Sequence, residues 1–179
     1  MAPLSGFQDS LIINSIVTVA LKLEHDITPF LYGDSMEKTR CAAIQFNIAL
    51  GDVNRNLATV EAALERVEKQ GVHLAVLPEM WSAGYDYKRL RNHAAETPRV
   101  LERLCRKSAE LDLVVVGSLP EQSDGKIYNT AYVVDCGELV GNYRKLHMFS
   151  TMGEDRFLSA GDQTLVVSTS AGRLGIAIC

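Results

Sequence analysis

The sequence predicts a layered α/β fold in which the strands run in mixed directions. In the first half of the chain, short apolar runs alternate with segments of helical periodicity, which is typical of strands joined by helices. In the second half, apolar runs follow one another across short turns, which is typical of hairpins. The run Leu113-Val-Val-Val-Gly-Ser-Leu119 is apolar throughout, as expected for a strand buried on both faces.

The predicted elements of the first half begin with a strand over 41–46. A helix follows, capped by Asp52 or Asn54 and ended by Gly71, with apolar residues at three- and four-residue intervals. The apolar run 74–77 predicts a second strand, and Glu79 comes shortly after it. A second helix is predicted over 98–111, because proline is common at the first helical position and Pro98 suits it.

The second half is predicted to contain mostly strands. They are expected at 113–119, 127–134, 139–143, 164–168 and 174–178, with turns at 135–138 and 170–172. The segment 144–163 carries few regular signals. Cys179 comes directly after the last predicted strand.

Length and composition suit one globular domain. The chain has 179 residues, of which 47% are apolar and 22% are charged. Eighteen Lys and Arg residues against 22 Asp and Glu residues give a net charge of −4, and there is no basic run, so a nucleic acid partner is not expected. The apolar segment 11–23 is too short and too polar to span a membrane, so no membrane partner is expected either.

The cysteines show no pattern of metal ligands or disulfide pairs. Cys41, Cys105, Cys136 and Cys179 are scattered, without a CxxC pair or a Cys/His cluster. This pattern predicts reduced thiols, a cytoplasmic location and no bound metal.

Three reactive side chains lie just past predicted strands, namely Glu79, Lys145 and Cys179. Functional groups collect at the carboxyl ends of strands in α/β sheets, so these three are expected to meet. A cysteine thiolate needs a base and a nearby cation, which suits Glu79 and Lys145, and Glu154 is a second carboxylate able to orient the lysine. Singly, such residues are also typical of a solvated turn, a surface lysine and a packed cysteine, so spacing alone leaves the assignment open.

Five ordered motifs extend from about residue 40 to the end of the chain. They are Arg40-Cys-Ala-Ala-Ile-Gln-Phe46, Leu77-Pro-Glu-Met80, Tyr143-Arg-Lys-Leu-His-Met-Phe149, Ser159-Ala-Gly161 and Gly175-Ile-Ala-Ile-Cys179. In this order they resemble the successive motifs of the nitrilase, or carbon-nitrogen hydrolase, superfamily. The pattern is more similar to the amidase branches than to true nitrilases.

The resemblance implies a four-layer α-β-β-α sandwich with a catalytic triad of Glu79, Lys145 and Cys179, supported by Glu154. It implies hydrolysis of a small amide or nitrile to a carboxylic acid and ammonia, through a thioester on the cysteine. It also implies homo-oligomers and neither a metal nor an organic cofactor.

An aromatic group follows Glu79 closely in the sequence. Trp81, Tyr85 and Tyr87 either line the acyl pocket of the proposed site or are ordinary packing residues. Both interpretations are open at the level of the sequence.

The resemblance also bears on domain organisation. Members of the superfamily continue well beyond the nucleophile, so 36–179 is expected to be a truncated hydrolase domain, incomplete at its C-terminus and inactive or poorly folded alone. The alternative is a non-catalytic half-domain, an interaction module that pairs with another chain. Residues 1–35 are predicted to be an N-terminal extension outside the family domain, either an upstream translation or a dispensable extension, with Met36 as the true start.

Overall fold

The computed structural model describes residues 17–22 and 39–178. The strands are β1 (Val17–Lys22), β2 (Cys41–Ala43), β3 (Leu74–Val76), β4 (Val114–Ser123), β5 (Lys126–Asp135), β6 (Glu138–Arg144), β7 (Leu165–Thr169) and β8 (Gly172–Ile178). The α-helices are α1 (Val53–Glu68) and α2 (Leu90–Leu111), and short 3-10 helices cover Tyr87–Arg89, Ser150–Met152 and Glu154–Arg156. Neither helix in these described ranges is long and apolar enough to cross a membrane.

The strands form two sheets. A five-stranded sheet has the order β2-β3-β4-β5-β6, in which β2, β3 and β4 are parallel and the later neighbours are antiparallel. A three-stranded antiparallel sheet has the order β1-β8-β7. The prediction of an α/β fold with strands of mixed direction is therefore confirmed.

Alternate residues of the central strands face two different cores. On one face, Ala75 and Val115 pack with apolar residues of α1 and α2. On the other face, Leu74 and Val114 pack with Leu174 and other residues of β8. Because side chains alternate along a strand, one short sequence supplies both cores. The described residues thus form one layer of helices and two layers of sheet. These are three of the four layers of the implied sandwich.

Helix α1 begins where the sequence predicts. The Asp52 side chain accepts a hydrogen bond of 3.1 Å from the backbone N–H of Arg55, which satisfies one of the free donors of the first turn. Leu57, Val60 and Leu64 lie on one face and are buried in the core.

Helix α2 begins earlier than predicted, at Leu90 rather than at Pro98. Its buried face continues without a break through Leu90, Thr97 and Val100. The ring of Pro98 lies on the exposed face, and the helix continues through it. The expectation that proline marks the helix start was therefore wrong, because the apolar periodicity extends upstream of it.

The N-terminal region contributes one described strand. The sequence predicts no partner for residues 1–35, but the backbone of β1 pairs with β8, from Val17 opposite Ile178 to Lys22 opposite Arg173. The rest of this region, including Met36, lies outside the described residues. The assignment of 1–35 as an extension produced by upstream translation stays a prediction.

Candidate active site

Glu79 lies just beyond the carboxyl end of β3, in a backbone that is fixed on both sides. The N–H of Leu77 continues the sheet ladder by donating to the carbonyl of Val116 at 2.8 Å. Met80 has a left-handed backbone (φ 51°), which is uncommon for a residue other than glycine, and its N–H donates to Ser118 Oγ at 2.8 Å. The resulting sharp turn holds the Glu79 side chain inside the protein, where it is 2% exposed.

Lys145 is the first residue after β6, and backbone hydrogen bonds hold both its N–H and its carbonyl. Its N–H donates to the carbonyl of Asn129 at 2.9 Å, and its own carbonyl accepts from the N–H of Gly161 at 2.8 Å. The side chain is buried, although a free lysine is almost always exposed. A buried ammonium group requires partners of opposite charge.

Glu154 supplies one of those partners from the irregular segment that follows β6. It lies in the 3-10 helix Glu154–Arg156 and is 2% exposed. Its Oε2 accepts a hydrogen bond of 2.7 Å from the N–H of Phe149, and its carbonyl accepts from Leu158 at 2.9 Å. The segment therefore folds back on itself and carries the carboxylate to the lysine.

The three side chains meet in one buried cluster. Lys145 Nζ lies 2.8 Å from Glu79 Oε1, and 3.0 and 2.9 Å from the two oxygens of Glu154. One cation is thus held between two carboxylates that come from distant parts of the chain. Of the four residues that the sequence singles out, the structure brings these three together, and Cys179 lies outside the described residues.

The charge state of the lysine follows from this arrangement. Burial by itself acts to lower the pKa of Lys145, but its hydrogen bonds to Glu79 and Glu154 outweigh the burial and raise the pKa above its ordinary value. Lys145 therefore stays protonated at neutral pH and can stabilise negative charge that develops nearby.

A fourth polar residue, Asn129 of β5, belongs to the cluster. Its Nδ2 donates a hydrogen bond of 2.6 Å to Glu79 Oε1, and the residue is fully buried. Among the described residues, Glu79 Oε2 and Asn129 Oδ1 have no hydrogen-bond partner. Sequence reasoning placed Asn129 in a strand without assigning it a role, although an amide inside an apolar strand is a signal of a buried polar contact.

The aromatic residues after Glu79 occupy two different environments. Trp81 is fully buried in the core between the sheet and the helices, where it packs against Gly117. Tyr85 and Tyr87 are half-buried, and the Tyr87 ring stacks on Phe157 with centroids 4.5 Å apart. Burial raises the pKa of Tyr87, and the negative charge of Glu154 adds to this effect. Tyr87 is therefore within electrostatic reach of the cluster, whereas Trp81 has the contacts of a packing residue.

An open groove of about 540 Å³ borders the segment 155–159 that follows Glu154. Its lining is strongly basic, with a single carboxylate, Asp155, among the charged groups. The basic residues are Lys88, Arg89, Arg91, Lys126 and Arg156. Tyr87 and Phe157 also line the groove. An anionic ligand would be attracted to this surface.

No group of three or more His, Cys, Asp or Glu side chains within the described part of the chain is arranged to hold a metal ion. The cluster combines two carboxylates, an ammonium group and an amide, which are groups able to transfer protons or to stabilise charge. Such buried sets of opposite charges beside a free carboxylate oxygen are typical of catalytic sites.

Comparisons with known proteins place this geometry in context. The family model described as Carbon-nitrogen hydrolase matches residues 40–179. The 2-oxoglutaramate amidase of Bacillus subtilis is 34% identical over 129 residues, which cover 70% of this chain and 49% of that enzyme. The chloroplastic omega-amidase of Arabidopsis thaliana is 32% identical over 157 residues, which cover 75% of this chain and 42% of that enzyme.

The chain is also similar to a solved structure over part of that structure's length. A mutant of the amidase from Nesterenkonia sp. AN1, an enzyme of the nitrilase superfamily, has been seen with the acetamide moiety of fluoroacetamide added covalently at its active-site cysteine. It is 25% identical, with a TM-score of 0.68, and the match covers 76% of this chain and 53% of that one. The chain thus spans about half the length of the relatives that it matches.

Proposed function

The chain belongs to the carbon-nitrogen hydrolase family, and we propose that Glu79, Lys145 and Cys179 form the catalytic triad of an amide-hydrolysing site, with Glu154 holding the lysine. The observation that carries this proposal is the placement of Lys145 Nζ within 3.0 Å of both carboxylates in a buried cluster. The family membership and the amidase relatives agree with the resemblance in the sequence motifs.

In the first half of the proposed reaction, the thiol of Cys179 gives its proton to Glu79 and the thiolate attacks the amide carbon. The carbonyl oxygen becomes an oxyanion, which Lys145 stabilises. Glu79 then protonates the leaving nitrogen, the C–N bond breaks, and ammonia departs from a thioester. Removal of one donor to such an oxyanion typically reduces the rate by a factor of about 10² to 10³.

In the second half, water replaces ammonia as the reactant. Glu79, again ionised, accepts a proton from the water, which attacks the thioester carbon. The C–S bond breaks, the carboxylic acid leaves, and the proton returns to the thiolate sulfur. Glu79 needs an oxygen available for these transfers, and Oε2 has no hydrogen-bond partner among the described residues.

We propose the ω-amide of a short dicarboxylic acid as the substrate class. The B. subtilis and A. thaliana relatives are amidases whose names specify 2-oxoglutaramate and omega-amides. Such a molecule has an amide at one end and a carboxylate at the other. The basic groove beside the segment 155–159 offers the complementary charge for that carboxylate. Thiolate chemistry requires a reduced cysteine, so we place the activity in the cytoplasm.

Covalent labelling with fluoroacetamide tests the assignment of the nucleophile without requiring turnover. The expected product is a thioether between Cys179 and the acetamide group, formed as the thiolate displaces fluoride. Burial raises the pKa of the Cys41 and Cys105 thiols, and a hydrogen bond to Asp135 raises that of Cys136, so these three are poor thiolates and serve as internal controls.

Peptide mass spectrometry identifies the labelled residue. We expect selective modification of Cys179, slowed by Glu79→Gln and by Lys145→Met. Equal labelling of all four cysteines, or labelling unaffected by these substitutions, would contradict the proposed triad.

An ammonia-release assay with ω-amides, deaminated dipeptides and nitriles then tests the substrate class. Preferential turnover of the ω-amides, abolished by Cys179→Ala and weakened by Arg156→Glu in the groove, is the supporting result. Turnover of nitriles alone would reject it. The expectation that this polypeptide is inactive alone is tested by the same assay, since any turnover that depends on Cys179 contradicts it.

A further inference from the structure

Asn129 is an unexpected residue for its position. It lies inside β5, whose neighbouring residues Tyr128 and Ala131 are buried, and it is itself fully buried. An amide removed from water costs free energy unless its donors and acceptors are satisfied. Its Oδ1 has no partner among the described residues, so packing alone does not account for an amide at this site.

The contacts of Asn129 connect the two proposed catalytic groups. Its side-chain Nδ2 donates to Glu79 Oε1 at 2.6 Å, and its backbone carbonyl accepts from the N–H of Lys145 at 2.9 Å. The orientation of the amide follows from chemistry, because an ionised carboxylate only accepts hydrogen bonds and must face the NH₂ group. Asn129 therefore contacts Glu79 through its side chain and Lys145 through its main chain.

The two oxygens of Glu79 consequently have different environments. Oε1 accepts hydrogen bonds from both Asn129 Nδ2 and Lys145 Nζ, at 2.6 and 2.8 Å. Oε2 accepts none from the described residues, although it is equally enclosed. Two donors on one oxygen fix the rotation of the carboxylate and leave the second oxygen available.

On the basis of the proposed function, we infer that Asn129 is a positioning residue that holds Glu79 through Oε1 and so makes Oε2 the oxygen that exchanges protons with the nucleophile and the leaving group. Without Asn129, Lys145 would be the single donor to Oε1, and the carboxylate could rotate about its terminal bond. The residue acts through Glu79 and need not touch the substrate.

The test uses the full chain, labelled with ¹³C at the glutamate side-chain carboxyl carbons, and follows the Glu79 signal by NMR as a function of pH. The signal is assigned from its loss in Glu79→Gln. Asn129→Leu removes the donor but keeps the number of side-chain heavy atoms and the branching at Cγ. A hydrogen bond from Asn129 favours the ionised carboxylate, so its removal is expected to move the pH midpoint of the Glu79 signal to a higher pH than in the wild type.

Asn142→Leu is the matched control, because Asn142 lies on the neighbouring strand β6 with an exposed side chain. We expect no change in the Glu79 midpoint in this variant. If Asn129→Leu does not fold, as judged from its amide spectrum, Asn129→Ser replaces it and is expected to give the same direction of change. An unchanged midpoint in a folded Asn129 variant would overturn the inference.

A second measurement separates this inference from the proposed function. The rate of fluoroacetamide labelling at Cys179 is measured against pH in the wild type and in Asn129→Leu. In the variant, the rise in the labelling rate should occur at higher pH, as the NMR midpoint does. If the NMR midpoint moves but the wild type is never labelled at Cys179, the proposed function fails while the contact between Asn129 and Glu79 stands. If labelling occurs and its pH profile is the same in both proteins, the positioning role is rejected.

Discussion

Gly161 lies directly against the backbone of Arg144, so closely that no side chain fits between them. A Cβ added to Gly161 would lie 2.5 Å from the Arg144 carbonyl oxygen and 2.6 Å from its Cβ. This approach allows the N–H of Gly161 to reach the carbonyl of Lys145 at 2.8 Å. The glycine therefore holds the carbonyl of the buried lysine, whose N–H is held by the carbonyl of Asn129.

The first prediction concerns this contact. Gly161→Ala is expected to lower the free energy of unfolding by about 1–3 kcal/mol, because the methyl group meets backbone that cannot move aside without displacing Lys145. Urea unfolding of the full chain gives the measurement. Ala160→Ser, at the adjacent exposed position, is the control and should change the stability by less than about 0.5 kcal/mol. Equal stability of Gly161→Ala and wild type would show that the close contact is not maintained in solution.

The second prediction uses Trp81, the one tryptophan of the sequence, as a reporter. A Cβ on Gly117 would lie 2.8 Å from Leu77 Cβ and 2.9 Å from Trp81 Nε1. Gly117→Ala is therefore expected to shift the tryptophan emission and to cost about 1–3 kcal/mol of stability through overpacking.

Gly141→Ala is the matched control for this reporter, because its Cβ would meet the flexible end of Leu165 at 3.2 Å instead. The control should leave the emission unchanged. Identical emission spectra for Gly117→Ala and the wild type would contradict the buried packing of Trp81.

The third prediction concerns the ion pair beside the cluster. Glu121 accepts hydrogen bonds from Arg144 at 2.9 and 2.5 Å and from Thr130 Oγ1 at 2.6 Å. Burial acts to raise the pKa of Glu121, but the bonds from Arg144 and Thr130 outweigh it and hold the pKa below its ordinary value. The contribution of Glu121 to stability is therefore present above its unfolded-state pKa, about 4.3, and is lost as the pH falls through the lower folded-state value.

Glu121→Gln is accordingly expected to lower the free energy of unfolding by about 1–3 kcal/mol at pH 7. The difference in this free energy from the wild type should become smaller below about pH 4. Urea unfolding at a series of pH values from 7 to 3 measures this difference. Glu102→Gln, at an exposed position of α2, should have no such effect. A difference that stays constant with pH would mean that the charge of Glu121 contributes nothing to folding.

The fourth prediction concerns Lys145 itself. Lys145→Met leaves Glu79 and Glu154 buried without their cation, so we expect the free energy of unfolding to fall by about 3–5 kcal/mol at neutral pH. Adding Glu154→Gln to this variant removes one of the unpaired charges and should recover part of the loss. Because the pKa of Lys145 is raised, its contribution is fully present below the unfolded-state value and is lost as the pH rises through the folded-state value.

The difference in the free energy of unfolding between the wild type and Lys145→Met should therefore become smaller in strongly alkaline solution. Lys126→Met, at an exposed position, is the matched control and should leave the free energy of unfolding almost unchanged. If the double variant were no more stable than Lys145→Met alone, the two carboxylates would not share the cation as the geometry indicates.

Strand ends were the most informative signal in the sequence. Glu79 and Lys145 could be predicted to meet because each lies just past a predicted strand, and the structure places Lys145 Nζ 2.8 Å from Glu79 Oε1. Glu154 lies outside any strand, so strand ends do not mark it, and the family resemblance supported its inclusion as a second carboxylate. Their catalytic roles, like that of Cys179, stay predictions.

Other features depended on contacts that no local pattern records. Asn129 and Glu79 are 50 positions apart, so neither the amide nor the carboxylate marks the other in the sequence. The start of α2 was misplaced because Pro98 was given more weight than the upstream periodicity. The partner of β1 could not be predicted, because pairing between β1 and β8 joins segments separated by about 150 residues and depends on the completed core.

The central position of β8 in the three-stranded sheet gives the choice of initiation codon a structural consequence. Residues 17–22 occupy one edge of β8, the strand that leads to Cys179, and β7 occupies the other. A polypeptide translated from Met36 would lack β1 and would present the bare backbone of β8 to any strand able to pair with it. If Met36 were the start, one edge of the strand that leads to the proposed nucleophile would thus be open to pairing with another chain.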